Sequence, residues 1–191
     1  ITCLILACDI WGDHRDARMW REMIEDFAYG YFRPACQSNP FNIIPRGYFP
    51  GEGLLNFAGL WHGMNGAYGM AAGLAVALSQ FLRDRSFIDI AVGNLQWIAG
   101  LNIGALCHAS DPGVQEALPI SMICGVGQRH VGGEGCIPGS ICHGFAAGEQ
   151  CLAPVTPTVE ADAKVTLSEQ ASIVHSAGWL SGLSRLVSLE S

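Results

Sequence analysis

The sequence predicts an all-α fold. Apolar residues recur with helical spacing through most of its 191 residues, and no convincing run alternates between apolar and polar residues. Half of the residues are hydrophobic, enough to form a core. We therefore predict one domain over residues 1–191.

The first third of the chain predicts two helices and a loop. The opening ITCLILACDIW looks like a cut end inside a helix, so we expect the C-terminal portion of a larger domain. A second helix is predicted from an N-cap at Asp13 to about Tyr31, ended by Pro34. Residues 39–53, rich in Pro, Gly and Asn, predict a loop.

The middle of the chain predicts a helical hairpin. One helix is expected from about Leu60 to Phe81, and a second from Phe87 to Ala99, capped by Ser86 and stopped by Gly100. Residues 101–164 follow, rich in Gly, Pro, Ser and Cys, and predict an ordered loop system that builds a surface.

The last helix is predicted from about Ser168 to Leu189. This order of elements, a long apolar helix, a short turn, a second helix and a long loop, is typical of an α/α toroid. A functional site is then expected at the long-loop end.

Composition disfavours two classes of partner. Charged residues make up 14% of the chain, its formal net charge is −7, and its Lys and Arg residues are scattered, which argues against nucleic acid and anionic membranes. Gly53 to Leu82 carries no charge and is long enough for a span of roughly 20 residues. Its Gly, Asn and His content favours instead a helix packed closely within a protein, so no membrane partner is predicted.

The eight Cys residues form no CxxC pair and no regular spacing. Buried or free thiols are favoured over a disulfide framework. Cys136, Cys142 and His143 lack a fourth metal ligand at a usual spacing, so we predict neither a metal nor a cofactor.

Two polar clusters are candidate binding residues. Arg129 and His130 lie in GVGQRHVGG, a Gly-flanked loop where they either bind sugar hydroxyls or a carboxylate or are simply solvated; the spacing fits no phosphate-binding motif. Trp61, His62 and Asn65 fall within about one helical turn. They suit a sugar platform, or a core Trp with a satisfied His.

The stretch WIAGLN carries the same ambiguity. Trp97 and Asn102 either face a ligand or serve as a packed Trp and a helix-ending Asn.

Glu169 has two interpretations. Thr166 and Glu169 match a capping box, in which the Glu bonds the N-cap amide. Alternatively Glu169 is a proton donor. A helix N-terminus favours the ionised carboxylate, so a donor there needs burial or a neighbouring negative charge.

Taken in order, several stretches resemble the C-terminal half of the family 9 glycoside hydrolases, which are endoglucanase-type (α/α)6-barrel enzymes. They are WHGMN (61–65), WIAGLNIG (97–104), GVGQRHVGG (125–133) and IPGSICHG (137–144). Glu169 then stands six residues before His175, where the family has its general acid six residues before an Asn.

The resemblance implies a partial (α/α)6 toroid and inverting hydrolysis of a β-linked glucan. It implies Glu169 as general acid, and as substrate-binding residues Trp61, Asn65, Arg129, His130 and His175. The family's base is an Asp pair in the N-terminal half, and no stretch here resembles it. These residues alone are thus expected to be inactive and to need the missing N-terminal half.

Two other functions stay open on sequence grounds. One is another α/α-toroid carbohydrate enzyme, such as a polysaccharide lyase with a Tyr or His base. The other is a non-catalytic helical carbohydrate-binding or scaffold protein. The compartment is also open, because the resemblance suggests export whereas the unpatterned Cys residues suggest the cytosol.

Overall fold

The computed structural model describes residues 1–48, 55–56, 63–104, 118–132, 137–147 and 165–189. Helices α1 to α3 span Thr2–Ile10, Ala17–Phe27 and Arg33–Gln37, and α4 to α6 span Asn65–Leu82, Ser86–Ala99 and Ile173–Val187. The strands are β1 (Gly47–Tyr48), β2 (Leu55–Asn56), β3 (Cys142–Ala147) and β4 (Val165–Ala171). The mainly helical fold predicted from the sequence is confirmed.

The strands show that all-α is too simple a description. β1 pairs with β2, and β3 pairs with β4, both antiparallel. Isolated bridges also join Ser121 to His130 and Ile123 to Ile141. β1, β3 and the isolated bridges lie in segments that the sequence predicted as loops, whereas β4 includes the predicted start of the last helix.

The second helix differs from its predicted bounds. α2 follows Asp16 rather than Asp13, and the helical path continues through a π-helical turn, Ala28–Phe32, into α3. Pro34 therefore does not end the helix. It lies in the first turn of α3, where a residue without an N–H group is tolerated.

The predicted helical hairpin is present as α4 and α5. Arg83 takes a left-handed conformation, φ 54°, in the turn between them, and Gly100 ends α5 at φ 131°. Within the described residues α4 begins at Asn65 rather than Leu60.

The last helix begins later than predicted. Residues 165–171 form β4, whose pairing with β3 holds them extended. α6 therefore starts at Ile173, with Ser172 as its N-cap; the Ser172 hydroxyl accepts a hydrogen bond from the Val174 amide at 3.3 Å. The predicted start at Ser168 and the Thr166/Glu169 capping box are wrong.

Within the described parts of the chain, two apolar clusters form the core. The first joins α1, α2, α4 and α5, around Ile24, Phe32, Leu78 and Phe87. The second joins the loop-rich end of α4 and α5 to β3, centred on Trp97. Among the described helices, none is both long and apolar enough to cross a membrane.

Candidate functional site

Glycines bring α4 and α6 into backbone contact. A Cβ at Gly182 of α6 would lie 2.5 Å from the carbonyl oxygen of Gly69 in α4, and one at Gly178 would overlap the carbonyl of Gly66. Since backbone atoms cannot give way as a flexible side chain does, only glycines at these positions allow the two helices to approach so closely. This approach thereby sets what the N-terminus of α6 meets on α4.

His175, in the first turn of α6, contacts the first turn of α4. Its Nδ1 accepts a hydrogen bond of 2.6 Å from the backbone N–H of Gly66, 109 positions away in sequence. An amide nitrogen can only donate, so Nδ1 carries the lone pair and the proton of the neutral ring lies on Nε2. His175 thus presents a donor at its other nitrogen, and metal binding at Nε2 would require an anionic ring.

A second histidine lies against the first. The rings of His143 and His175 have centroids 4.5 Å apart and are tilted by 58°, and both side chains are half-buried. The local sequence suggests His143 as a candidate metal ligand but does not predict its contact with His175. Its position beside His175 depends on the pairing of β3 with β4, which the local sequence does not reveal.

The register of β3 and β4 places the backbone of Glu169 opposite His143. Cys142 pairs with Ala171 and Gly144 with Ser168, so the single residue His143 lies opposite two residues, Glu169 and Gln170. This is a β-bulge, a feature common near functional sites. The backbone of Glu169 therefore lies in an irregular strand across from His143, three residues before the Ser172 N-cap.

Asn65, the first residue of α4, is enclosed next to β3. Its side chain is fully buried, and its Nδ2 donates to the carbonyl oxygen of Cys142 at 2.9 Å and lies 3.4 Å from the Met122 sulfur. Gly144, at φ 91°, packs directly on the Asn65 amide, and a Cβ there would lie 2.7 Å from it. This burial supports a positioning role for Asn65 rather than direct contact with a sugar.

The start of α6 is tied to the adjoining loop. The Ile141 amide donates to the Ser176 hydroxyl at 3.2 Å, and the Ser172 amide donates to the Ile141 carbonyl at 3.2 Å. The Cys142 amide in turn bonds the carbonyl of Met122 at 3.1 Å. The loop, β3 and the N-termini of α4 and α6 therefore form one connected layer.

Arg129 and His130 lie on that loop. The Ser121 amide bonds the Arg129 carbonyl at 2.9 Å, and the Arg129 side chain is half-buried. His130 is exposed, and its Nδ1 lies 2.8 Å from the Val131 carbonyl, so Nδ1 carries the proton. His130 therefore presents an acceptor at Nε2 in the neutral state.

Trp97 and Asn102 are structural. Trp97 is 1% exposed and meets Phe41, Tyr68 and Phe145 edge to face. The Asn102 amide donates to the carbonyls of Trp97 and Ile120 and closes the end of α5. The packed-core interpretation of WIAGLN is confirmed.

Other sequence predictions meet the structure only in part. Trp61 and His62 lie outside the described residues. In the described ranges, no three His, Cys, Asp or Glu side chains come together as metal ligands. Free thiols are present at Cys3, Cys8, Cys36 and Cys124.

Comparison of the chain with protein-family models, with curated proteins and with solved structures gave no significant match.

Proposed function

We propose that this chain carries the acid half of an inverting glycoside hydrolase that acts on a β-linked glucan, with Glu169 as general acid. One observation carries the proposal. Asn65, His175 and the backbone of Glu169, which the sequence resemblance assigned to one site, lie on neighbouring elements at one end of the helices. Gly66, next to Asn65, bonds His175, and His175 contacts the histidine that faces Glu169 across the sheet.

The correction of the last helix strengthens the case for Glu169. Its capping role is removed, because Ser172 caps α6. The backbone of Glu169 lies in β4 and not in the first turn of α6, so the charge preference of a first-turn residue no longer applies to it.

The polar side chains on these elements include both hydrogen-bond donors and acceptors: the Nε2–H of His175 and the guanidinium of Arg129 are donors, and the neutral ring of His130 has an acceptor at Nε2. Sugar hydroxyls both donate and accept, so they match such a mixed set. Trp61 remains the proposed stacking platform, and Asn65 becomes a positioning residue.

We further propose that the catalytic base comes from a segment outside these 191 residues, which form part of a larger (α/α)6 toroid. Inverting enzymes hold the two carboxyl groups about 6.5–9.5 Å apart with a water between them. No stretch of the sequence resembles the family's Asp pair, so we place the base outside it.

The test is hydrolysis by the complete gene product. We would incubate it with a panel of β-linked glucans and aryl β-glycosides and follow the first-formed anomer by proton NMR. The proposal expects cleavage with the α-anomer appearing first. Cleavage with retention, or no cleavage of any member of the panel, would overturn it.

A further inference from the structure

The N-terminus of α4 has no cap of its own. The residue before the helix, Met64, provides no side-chain hydrogen bond, and the first turn holds no acidic side chain. The first amides of a helix need acceptors from elsewhere. The Gly66 amide finds one on another helix, the Nδ1 of His175.

We propose that His175 caps α4 from α6 as a positioning residue, and that it holds the start of α4 and Asn65 against β3 only while its imidazole is neutral. Protonation places an N–H on Nδ1, where it faces the N–H of Gly66 at 2.6 Å. Two donors cannot share that position. A cation is also unfavourable at a helix N-terminus, because the dipole is positive there.

The packing leaves little room for the bond to adapt. A Cβ at Gly66 would already lie 2.9 Å from Nδ1, and the glycine contacts hold the two helices at a fixed separation. A protonated ring must therefore rotate away or push the first turn of α4 outward. Either movement disturbs Asn65, whose amide bonds the Cys142 carbonyl.

Ionisable residues near His175 lie on α4, β3, β4 and α6 itself. On α4 the one ionisable residue is Tyr68, whose hydroxyl pKa is raised by burial, so it stays neutral. β3 contributes Cys142 and His143, and β4 contributes Glu169. The ring of His143 lies 4.5 Å from that of His175, measured between centroids, and a charge on it would oppose a second charge on His175. On α6 itself, Arg185 lies in the last turn, at the opposite end.

The bond is therefore lost when the ring of His175 becomes protonated as the pH falls. This inference does not depend on glycosidase activity. It goes beyond the proposed function by assigning the start of α4 a pH-dependent position.

The test follows the Gly66 amide by two-dimensional NMR of the complete gene product, labelled with 15N-glycine, from about pH 8 to about pH 5. We expect its resonance to move in one titration step. In His175→Asn, Oδ1 replaces Nδ1 as acceptor and does not titrate, so the resonance should stay near its wild-type position at high pH. In His175→Phe it should be displaced at every pH.

Two further variants separate the neighbouring histidines. His143→Gln should preserve the titration of the Gly66 resonance, and His130→Asn, on the exposed loop, should leave it unchanged. A Gly66 resonance that does not respond to pH, or that titrates in His175→Asn as in wild type, would overturn the inference. If His175→Phe does not fold, His175→Asn still decides the question.

Discussion

Replacing Gly182 by Ala tests the contact that aligns α4 and α6. The added Cβ would lie 2.5 Å from the Gly69 carbonyl oxygen, 3.0 Å from the Ala72 Cβ and 3.3 Å from Leu95. Ordinary contacts begin near 3.4 Å, so the helices must separate by about 0.9 Å, the difference between 3.4 and 2.5. Overpacking of a core typically costs about 1–3 kcal/mol.

Two effects decide the net stability. Because the obstacle is backbone, we take the upper end of that range, about 3 kcal/mol. Replacing Gly by Ala inside a helix returns about 1 kcal/mol. The variant should therefore lose about 2 kcal/mol of unfolding free energy, which lowers the Tm of a chain of this size by roughly 4–8 °C.

Urea unfolding followed by far-UV circular dichroism measures this change. Gly30→Ala is the matched control, since Gly30 lies in the π-helical turn and its added Cβ meets nothing within 4 Å. That variant should be slightly more stable than wild type, by about 0.5–1 kcal/mol. If both variants shift stability in the same direction, the close contact between α4 and α6 is not what the structure indicates.

Three further predictions test other parts of the fold. The pKa of Asp84 is lowered mainly by hydrogen bonds from Ser86. Its ionised carboxylate therefore contributes to the free energy of unfolding at neutral pH, and this contribution is lost as the pH falls through the folded-state pKa. Asp84→Asn should destabilise the protein at pH 7 but not near pH 2, and equal effects at both pH values would contradict this. Ser172→Ala should lower the free energy of unfolding in urea by about 1 kcal/mol, and Thr166→Ala should lower it by less. A larger loss for Thr166→Ala would indicate that the Thr166/Glu169 capping box is formed after all. Burial raises the pKa of the Cys36 thiol to about 12, so an alkylating reagent should modify exposed Cys3 in the native protein and Cys36 only after unfolding, as mass spectrometry can show; equal rates would refute it.

The helical hairpin could be predicted because its signals are local. The long apolar stretch gives α4 its buried face, and Gly100 supplies the conformation that ends α5. The π-helical turn before Pro34 was not predictable in this way. A Pro inside a helical pattern ordinarily marks its end, and only the tertiary structure shows that the chain continues as α3.

The strand before α6 could not be predicted from the local sequence. Thr166 and Glu169 satisfy the spacing of a capping box, but pairing with β3 holds them in an extended conformation. That pairing joins residues more than twenty positions apart, such as Phe145 and Leu167, so no short window contains the signal. Long-range packing thus overrode a well-matched local motif.

The candidate site was predictable only in part. The order of the motifs along the chain indicated Glu169 and His175. In the structure the backbone of Glu169 and the ring of His175 lie on neighbouring elements. His143 was missed, because its proximity to His175 comes from the bulge. The nearest sequence signal is Gly144, which follows it and takes a conformation that favours glycine, φ 91°.

The central claim is that Glu169 donates the proton in glycoside hydrolysis. The most direct measurement compares kcat of the complete gene product with that of Glu169→Gln and of Glu22→Gln, on the best substrate of the β-glucan panel. Glu22 is an exposed carboxylate on α2 that pairs only with Arg18 among the described residues. We predict a loss of about 10²–10⁴-fold for Glu169→Gln and none for Glu22→Gln. Equal kcat values for wild type and Glu169→Gln would contradict the account.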